Sequence, residues 1–135
     1  MTIAVAVFVA ALIGAAGPFV IGRVPEPPEP DDDKLAYAEL ARARNLPPWL
    51  AAGAAVLAAG AAWRVPRELV PVWVLFAGVG SWLAYVDWRT RLLPFLLVAP
   101  LYVASLLLVA LGAVLLDDGG VVIGALVGNA LVFAV

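Results

Sequence analysis

The sequence contains no cysteine and no histidine in 135 residues, and only 13% of its residues are charged. These absences exclude a disulfide-stapled secreted domain, catalysis by a thiol or an imidazole, and zinc sites built from those side chains. The 8 basic and 10 acidic residues nearly balance, which argues against nucleic-acid binding. What the chain does have is apolar: 65% of its residues are hydrophobic, and the mean hydropathy is +1.06. Such a composition indicates a protein whose solvent is the lipid bilayer.

Five uncharged runs approach or reach the length of about 17–25 residues that a membrane-spanning helix needs. They are Thr2–Gly22, Asn45–Trp63, Leu69–Val86, Leu92–Leu116 and Gly119–Val135. Because lipid offers no hydrogen-bond partners to the backbone, each run predicts an α-helix. The sequence therefore predicts a single all-α domain over residues 1–135, a polytopic transmembrane helix bundle of about five spans. Since the fifth run stops without a polar flank, we expect that span to be incomplete and the chain to be a fragment or a truncated relative.

Basic residues set the expected orientation, because cytoplasmic loops carry an excess of lysine and arginine. Six of them fall in the two connections on one side, and two fall on the other side. The six are Arg23, Lys34, Arg42, Arg44, Arg89 and Arg91, and the two are Arg64 and Arg67. This distribution predicts a plasma-membrane protein with its N-terminus outside and residues 23–45 in the cytoplasm. No basic residue precedes the first run, so a retained span is favoured over a cleaved signal peptide.

The 23–45 loop has two parts. Alternating proline and acidic residues at Val24–Asp33 predict a stiff, solvated linker, which is a simpler interpretation than a motif for a proline-binding partner. Lys34–Asn45 is rich in helix formers and predicts a short amphipathic helix at the membrane surface, with Leu35, Ala38, Leu40 and Ala41 on one face and Tyr37 near it.

Small and aromatic residues of the spans indicate how the helices pack and where they end. Alanines recur every four residues in the second run, which predicts close packing within the bundle rather than a dedicated dimer face. These alanines are Ala51, Ala55 and Ala59, and Ala54, Ala58 and Ala62. Trp49, Trp63, Trp73 and Trp88 lie near span boundaries, as interfacial anchors do.

One acidic residue stands at the predicted cytoplasmic end of the third span. Asp87 begins the pattern D-x-x-T-x-x-L-P, completed by Thr90, Leu93 and Pro94. Position alone favours an interfacial residue that pairs with Arg89 or Arg91. The pattern, however, resembles the first active-site motif of the prepilin leader peptidases, the membrane aspartic peptidases that process type IV pilins. The order of a first helix, a cytoplasmic loop and two further helices before the motif is similar as well, so the resemblance covers essentially the whole chain.

The resemblance implies that Asp87 is one carboxylate of a catalytic dyad. In such a dyad two carboxylates share a proton, so that one activates water while the other protonates the scissile carbonyl. The implied reaction is cleavage of a prepilin-like leader peptide at the cytoplasmic membrane face. The implied partners are that substrate peptide and the bilayer, with no cofactor and no nucleic acid. Thr90 would cap the next helix or hydrogen-bond the carboxylate, and Pro94 would begin that helix.

Two features of the family are missing from this sequence. The second aspartate, in a G-x-G-D motif, is absent, and Asp117-Asp118 lies on the opposite predicted side, so we assign it no catalytic role. We therefore expect these 135 residues alone to be inactive. The cysteine pairs that bind zinc in many members are also absent, so methylation of the processed N-terminus is not expected.

A non-enzymatic function remains the alternative. In that interpretation the chain is a membrane scaffold or a degenerate paralogue associated with a pilus or secretion system, and Asp87 is an ordinary interfacial residue. A transporter or channel subunit is disfavoured, because the runs contain no charged residue at mid-membrane.

Overall fold

The structure is a computed structural model that describes residues 1–26, 35–91 and 93–133, with side chains described up to residue 127. All regular elements in these ranges are helices. They are α1 (Ile3–Ile21), α2 (Tyr37–Leu40), α3 (Leu46–Arg64), α4 (Val70–Thr90), α5 (Phe95–Leu116) and α6 (Gly120–Phe133). The prediction of an all-α helical bundle is confirmed.

Four of these helices, α1, α3, α4 and α5, are long and apolar enough to span a membrane. Their 19 to 22 residues correspond to about 28–33 Å at a rise of about 1.5 Å per residue, close to the thickness of the hydrocarbon core. The fifth predicted span is represented by α6, whose 14 residues fall short of that length. Residues 134–135, at the end of that prediction, lie outside the described residues. The chain is thus a membrane protein with four candidate spans among the residues described.

Proline and left-handed residues mark where the helices start and stop. Proline occupies the first turn of both α3 and α4, where a missing N–H has no consequence for the helix. Asn45, immediately before α3, has φ 67°, and Arg91 and Asp117, immediately after α4 and α5, have φ 54° and 52°. A left-handed residue at a helix end turns the chain sharply. At Arg91 and Asp117 this keeps the connections from α4 to α5 and from α5 to α6 short.

The centre of the molecule is a three-helix unit in which α1, α3 and α4 all contact one another. At the end of the unit where α1 begins, the interface consists mainly of small side chains. Its buried members are Ala6, Ala10, Ala54, Ala58, Val70, Val74 and Ala77. The prediction that the alanines of the second span serve packing within the bundle is confirmed for Ala54 and Ala58, which are fully buried. Small residues allow helix backbones to approach closely in lipid, where no hydrophobic force draws them together.

A hydrogen bond near the middle of the unit compensates for a proline. Pro18 lies inside α1 and has no N–H with which to reach the carbonyl of Gly14, its partner four residues earlier. The indole Nε1–H of Trp82 on α4 donates to that carbonyl over 3.1 Å in a buried position. Gly17 leaves room for the indole, because a Cβ there would lie 2.5 Å from the Trp82 ring.

The other end of the unit is filled by large side chains, and we call it the Asp87 end because α4 finishes there. Its buried cluster consists of Ile21, Val24, Tyr37, Leu40, Leu46, Leu50, Trp82 and Val86. Two of these residues, Tyr37 and Leu40, come from α2.

The predicted amphipathic helix over Lys34–Asn45 is wrong in extent. Only Tyr37–Leu40 is helical within the described part of that segment, and the chain then passes through turns to Asn45. Its apolar face is only partly as predicted, because Leu40 and the adjacent Tyr37 are buried while Leu35 and Ala38 are exposed. Packing of these two side chains into the bundle prevails over the helix propensity of the surrounding residues. The predicted linker at Val24–Asp33 lies outside the described residues from position 27 onwards.

Helix α5 packs against α4, and α6 packs against α5, so both lie outside the three-helix unit. Large apolar side chains are exposed around the perimeter of the bundle, including Phe8 on α1 and Phe95 on α5. This surface suits a lipid solvent. Trp49, Trp63 and Trp88 lie at helix ends and are more than 70% exposed, and Trp73 in the first turn of α4 is 47% exposed. Their role as interfacial anchors stays a prediction.

Candidate functional site

Asp87 lies in the last turn of α4, three residues before the helix ends. Its side chain is exposed, whereas its neighbour Val86 is fully buried in the cluster at the Asp87 end. The carboxylate makes no hydrogen bond or ion pair with any residue in the described part of the chain, including Arg89 and Arg91. The carboxylate of Asp87, exposed in the last turn of α4, is therefore available to a ligand.

The backbone after Asp87 changes direction within a few residues. Arg91 adopts the left-handed conformation, and its N–H donates to the carbonyl of Asp87 over 2.7 Å. The carbonyl of Pro94 then accepts hydrogen bonds from the N–H groups of Leu97 and Val98, at 2.9 and 3.2 Å, and so begins α5. Pro94 itself is the residue immediately before the helix, as the motif predicts to within one residue. The motif therefore forms a tight connection between two candidate spans.

Thr90, the last residue of α4, is 3% exposed. Its hydroxyl donates to the carbonyl of Val86 over 2.8 Å. The sequence predicts that this hydroxyl caps the next helix or hydrogen-bonds the Asp87 carboxylate, and in the structure its proton is engaged within α4. Thr90 is placed to stabilise the last turn of the helix.

Leu93, the third supporting residue of the motif, is 54% exposed. Its side chain is on the surface of the connection, so it contributes to the shape of the site rather than to the core. Leu92 lies outside the described residues.

An apolar crevice of about 240 Å³ opens between α4 and α5. Its walls are Leu75, Val79 and Trp82 on α4, and Leu96, Leu97, Pro100, Leu101 and Ala104 on α5. Leu96 and Leu97 belong to the first turn of α5, directly after the connection that carries the motif. The crevice therefore begins near the Asp87 turn and extends along α4 towards the middle of the bundle.

Asp117 and Asp118 lie at the opposite end of α5 from the motif. The 22 residues of α5 separate them from Pro94, a distance of about 33 Å along the helix. They cannot form a dyad with Asp87. Asp118 is engaged in its own turn, where its Oδ1 accepts the N–H of Gly120 over 2.8 Å.

No group of three or more histidine, cysteine, aspartate or glutamate residues occurs among residues 1–26, 35–91 and 93–133 in a geometry that could hold a metal ion. The acidic residues described at the Asp87 end are Asp87, Glu26 and Glu39, and both glutamates are exposed. Oxygen Oε1 of Glu26 accepts the N–H of Ala38 over 3.3 Å, at the start of α2. Glu26 therefore has a local structural role.

Comparison with protein families, with curated proteins and with solved structures gives no match to this chain. The functional assignment thus rests on the motif and its geometry. Sequence reasoning found the motif but missed Tyr85 and Leu40, which contact each other next to Asp87. No local sequence pattern predicts this hydrogen bond, because the two residues are 45 positions apart in the chain.

Proposed function

We propose that this chain contributes one catalytic carboxylate, Asp87, to an integral-membrane aspartic endopeptidase of the prepilin peptidase type. The observation that carries the proposal is the exposed carboxylate in the last turn of a candidate membrane span, immediately before a tight connection that ends in Pro94. Acidic residues are costly near the hydrocarbon core, so one without a structural partner at that position is a functional candidate.

The proposed substrate is the leader peptide and apolar segment of a prepilin-like precursor. An exposed carboxylate can bind and activate a water molecule for attack on a peptide carbonyl. The crevice between α4 and α5 offers apolar walls that begin at the first turn of α5, and those walls suit an apolar segment entering from the membrane.

The proposed mechanism needs a second carboxylate, which would hold the shared proton and protonate the carbonyl oxygen. Asp117 and Asp118 do not supply it, since they lie at the other end of α5. No second aspartate lies at the Asp87 end among the described residues, so we propose that the partner is supplied by a further segment or by a second protein.

The orientation we propose places the Asp87 end in the cytoplasm. Arg23, Arg42, Arg44, Arg89 and Arg91 lie at that end, while Arg64 and Arg67 lie at the other. Four alternating candidate spans are compatible with this arrangement. Cleavage would then occur at the inner membrane surface, where a positively charged leader remains during export.

The decisive experiment measures leader removal from a pilin precursor of the same genome by the gene product that contains this sequence at its natural length. Replacing Asp87 with Asn removes the acid–base function while keeping the size of the side chain. We expect leader cleavage to fall by about 10²-fold or more, with the protein still inserted in the membrane.

The matched control is Asp117→Asn, the same substitution at the other end of α5, which we expect to leave cleavage unchanged. The chain stopped at Val135 is expected to show no cleavage. Undiminished cleavage by Asp87→Asn would refute the catalytic role of this residue.

A non-catalytic membrane scaffold is the second candidate, and it is favoured because the described residues bring no second aspartate to the Asp87 end. In that case neither the natural-length protein nor its variants remove the leader, although all are inserted. Asp87→Asn would then leave the cellular function of the protein intact.

A further inference from the structure

The four-residue helix α2 is attached to the part of α4 that carries Asp87. The Oη–H of Tyr85 donates to the carbonyl of Leu40 over 3.3 Å. The side chain of Leu40, only 2% exposed, belongs to the same buried cluster as Val86. Of the two residues that precede Asp87 in the chain, Tyr85 is thus hydrogen-bonded to the last residue of α2, and Val86 shares a buried cluster with it.

Helix α2 is also held at its start. The Glu26 carboxylate accepts the N–H of Ala38, and Tyr37 is buried against the bundle at 5% exposure. A helix this short has no stability of its own, so it exists here because of these contacts. The position of α2 is therefore set by its contacts with the bundle, and Tyr37 and Leu40 of α2 help to bury the cluster at the Asp87 end.

The residues around Asp87 hold the last turn of α4, which carries its side chain. Asp87 lies at the helix end, and helix ends tend to fray unless they are held by packing. Val86 is fully buried in the cluster that includes Leu40, and the Thr90 hydroxyl is bonded to the Val86 carbonyl within α4, so packing and an internal hydrogen bond both hold the last turn. Without Leu40, the cluster that buries Val86 would lose one of its members.

We propose that α2 is a positioning element for Asp87, with Leu40 and Tyr85 as positioning residues that hold the last turn of α4 in place. The expected effect on the rate of leader cleavage rests on the proposed function. The expected effect on the last turn of α4 rests on the contacts alone. Small displacements of a catalytic group reduce the rate strongly, because the reacting atoms must be aligned.

The structural test is hydrogen–deuterium exchange of the natural-length protein in lipid nanodiscs. In Leu40→Ala, we expect the backbone amides of residues 86–91 to exchange at least about tenfold faster than in the unmodified protein. Leu40→Met, which keeps most of the buried volume, should restore the protection. The amides of residues 54–58, in the small-residue interface, serve as an internal reference and should keep their exchange rates.

The matched control is Leu35→Ala, which removes the same atoms from a leucine that precedes α2 and is 37% exposed. This variant should leave exchange at residues 86–91 unchanged. Tyr85→Phe deletes only the hydroxyl and provides a milder second variant in case Leu40→Ala fails to fold. We expect it to accelerate exchange in the same segment by severalfold.

The functional test is leader cleavage by the same variants, with kcat and KM determined separately. A misplaced carboxylate should lower kcat by about tenfold or more and leave KM within about twofold, because substrate binding does not depend on its alignment. Leu40→Met should recover kcat.

The outcomes separate the two proposals. Unchanged exchange at residues 86–91 in both Leu40→Ala and Tyr85→Phe overturns the positioning role, whatever the activity. Faster exchange with unchanged kcat overturns it as well. If the unmodified protein cleaves no leader, the peptidase proposal fails, while the exchange data still decide whether α2 holds the last turn of α4.

Discussion

Trp82 supplies the hydrogen bond that Pro18 removes from α1. The carbonyl of Gly14 would face the interior of a membrane protein without a backbone donor, and such a group is costly where no water can reach it. The indole N–H of Trp82 reaches it from α4 over 3.1 Å. One side chain thus joins two helices and supplies the hydrogen bond that Pro18 cannot make in α1.

Removal of the Trp82–Gly14 hydrogen bond should lower the free energy of unfolding substantially only while Pro18 is present. We expect Trp82→Phe to lower the free energy of unfolding by about 1 kcal/mol beyond the effect of Trp49→Phe, an exposed tryptophan used as control. In a Pro18→Ala background, alanine restores the missing N–H, so the penalty of Trp82→Phe should largely disappear. A double-mutant cycle from SDS titrations in mixed micelles measures this coupling, and additive effects would contradict the compensation.

Gly17 is the residue where added volume should be least tolerated. A Cβ at this position would lie 2.5 Å from Trp82 Cδ1 and 2.8 Å from Leu50 Cδ1, closer than real Cβ contacts. We expect Gly17→Ala to destabilise the bundle by about 1–3 kcal/mol through overpacking.

The control is Gly53→Ala, because a Cβ at Gly53 meets no atom within 4 Å. This substitution should be neutral or slightly stabilising, since alanine favours the helical conformation. Unfolding of both variants in the same micelles gives the comparison, and equal stabilities would show that the space beside Gly17 is not limiting.

Residue roles were predictable from sequence only where they depend on local pattern. The D-x-x-T-x-x-L-P pattern located Asp87 and Pro94 at consecutive helix ends, because both are set by their immediate neighbours. Trp82 was not predicted as a donor to Gly14, since the two are 68 residues apart and only the packing of α1 on α4 brings them together.

At the scale of elements, the connection between α4 and α5 begins with a non-glycine residue in the left-handed conformation. Arg91 has φ 54°, a left-handed conformation that costs a non-glycine residue about 1–2 kcal/mol. It is maintained by the Arg91 N–H, which closes the last turn of α4 on the Asp87 carbonyl.

Glycine should relieve this strain. We expect Arg91→Gly to raise the free energy of unfolding by up to about 1 kcal/mol, or at least not to lower it. The matched control is Arg89→Gly, two residues earlier within α4, which should lower it by up to about 1 kcal/mol. Opposite signs in the two measurements are the expected result, and a loss of stability in both would argue against the left-handed turn.

Helix boundaries were largely predictable, because proline and the transitions from apolar to charged residues fix them. The start of α3 agrees to within one residue with the prediction from Asn45 and Pro47-Pro48. Helix α2 was not predictable in the same way. Its short extent follows from the burial of Tyr37 and Leu40 among residues of α1, α3 and α4, which no pattern inside residues 34–45 reveals.

At the scale of the whole molecule, the distribution of arginine predicts the orientation in the membrane. The orientation can be tested by labelling introduced cysteines. These 135 residues contain no cysteine, so a single introduced thiol is the only one in this part of the protein. Ala43 and Pro66 are both exposed and lie at opposite ends of the bundle.

We expect Pro66→Cys to react with a membrane-impermeant maleimide in intact cells, and Ala43→Cys to react only after the cells are opened. Each variant acts as the control for the other, because both thiols should react fully in detergent. The reverse pattern would place Asp87 outside the cytoplasm and would contradict the proposed site of cleavage.

The contacts of α5 have a consequence for the order of events during synthesis. Helices α1, α3 and α4 contact one another directly, while α5 touches only α4 within that unit. Once residue 90 has left the ribosome and entered the membrane, every helix of the three-helix unit is present, including the donor and acceptor of the Trp82–Gly14 bond. The unit can therefore assemble cotranslationally while α5 is still being made, and the Asp87 turn has its framework before its second flanking helix exists.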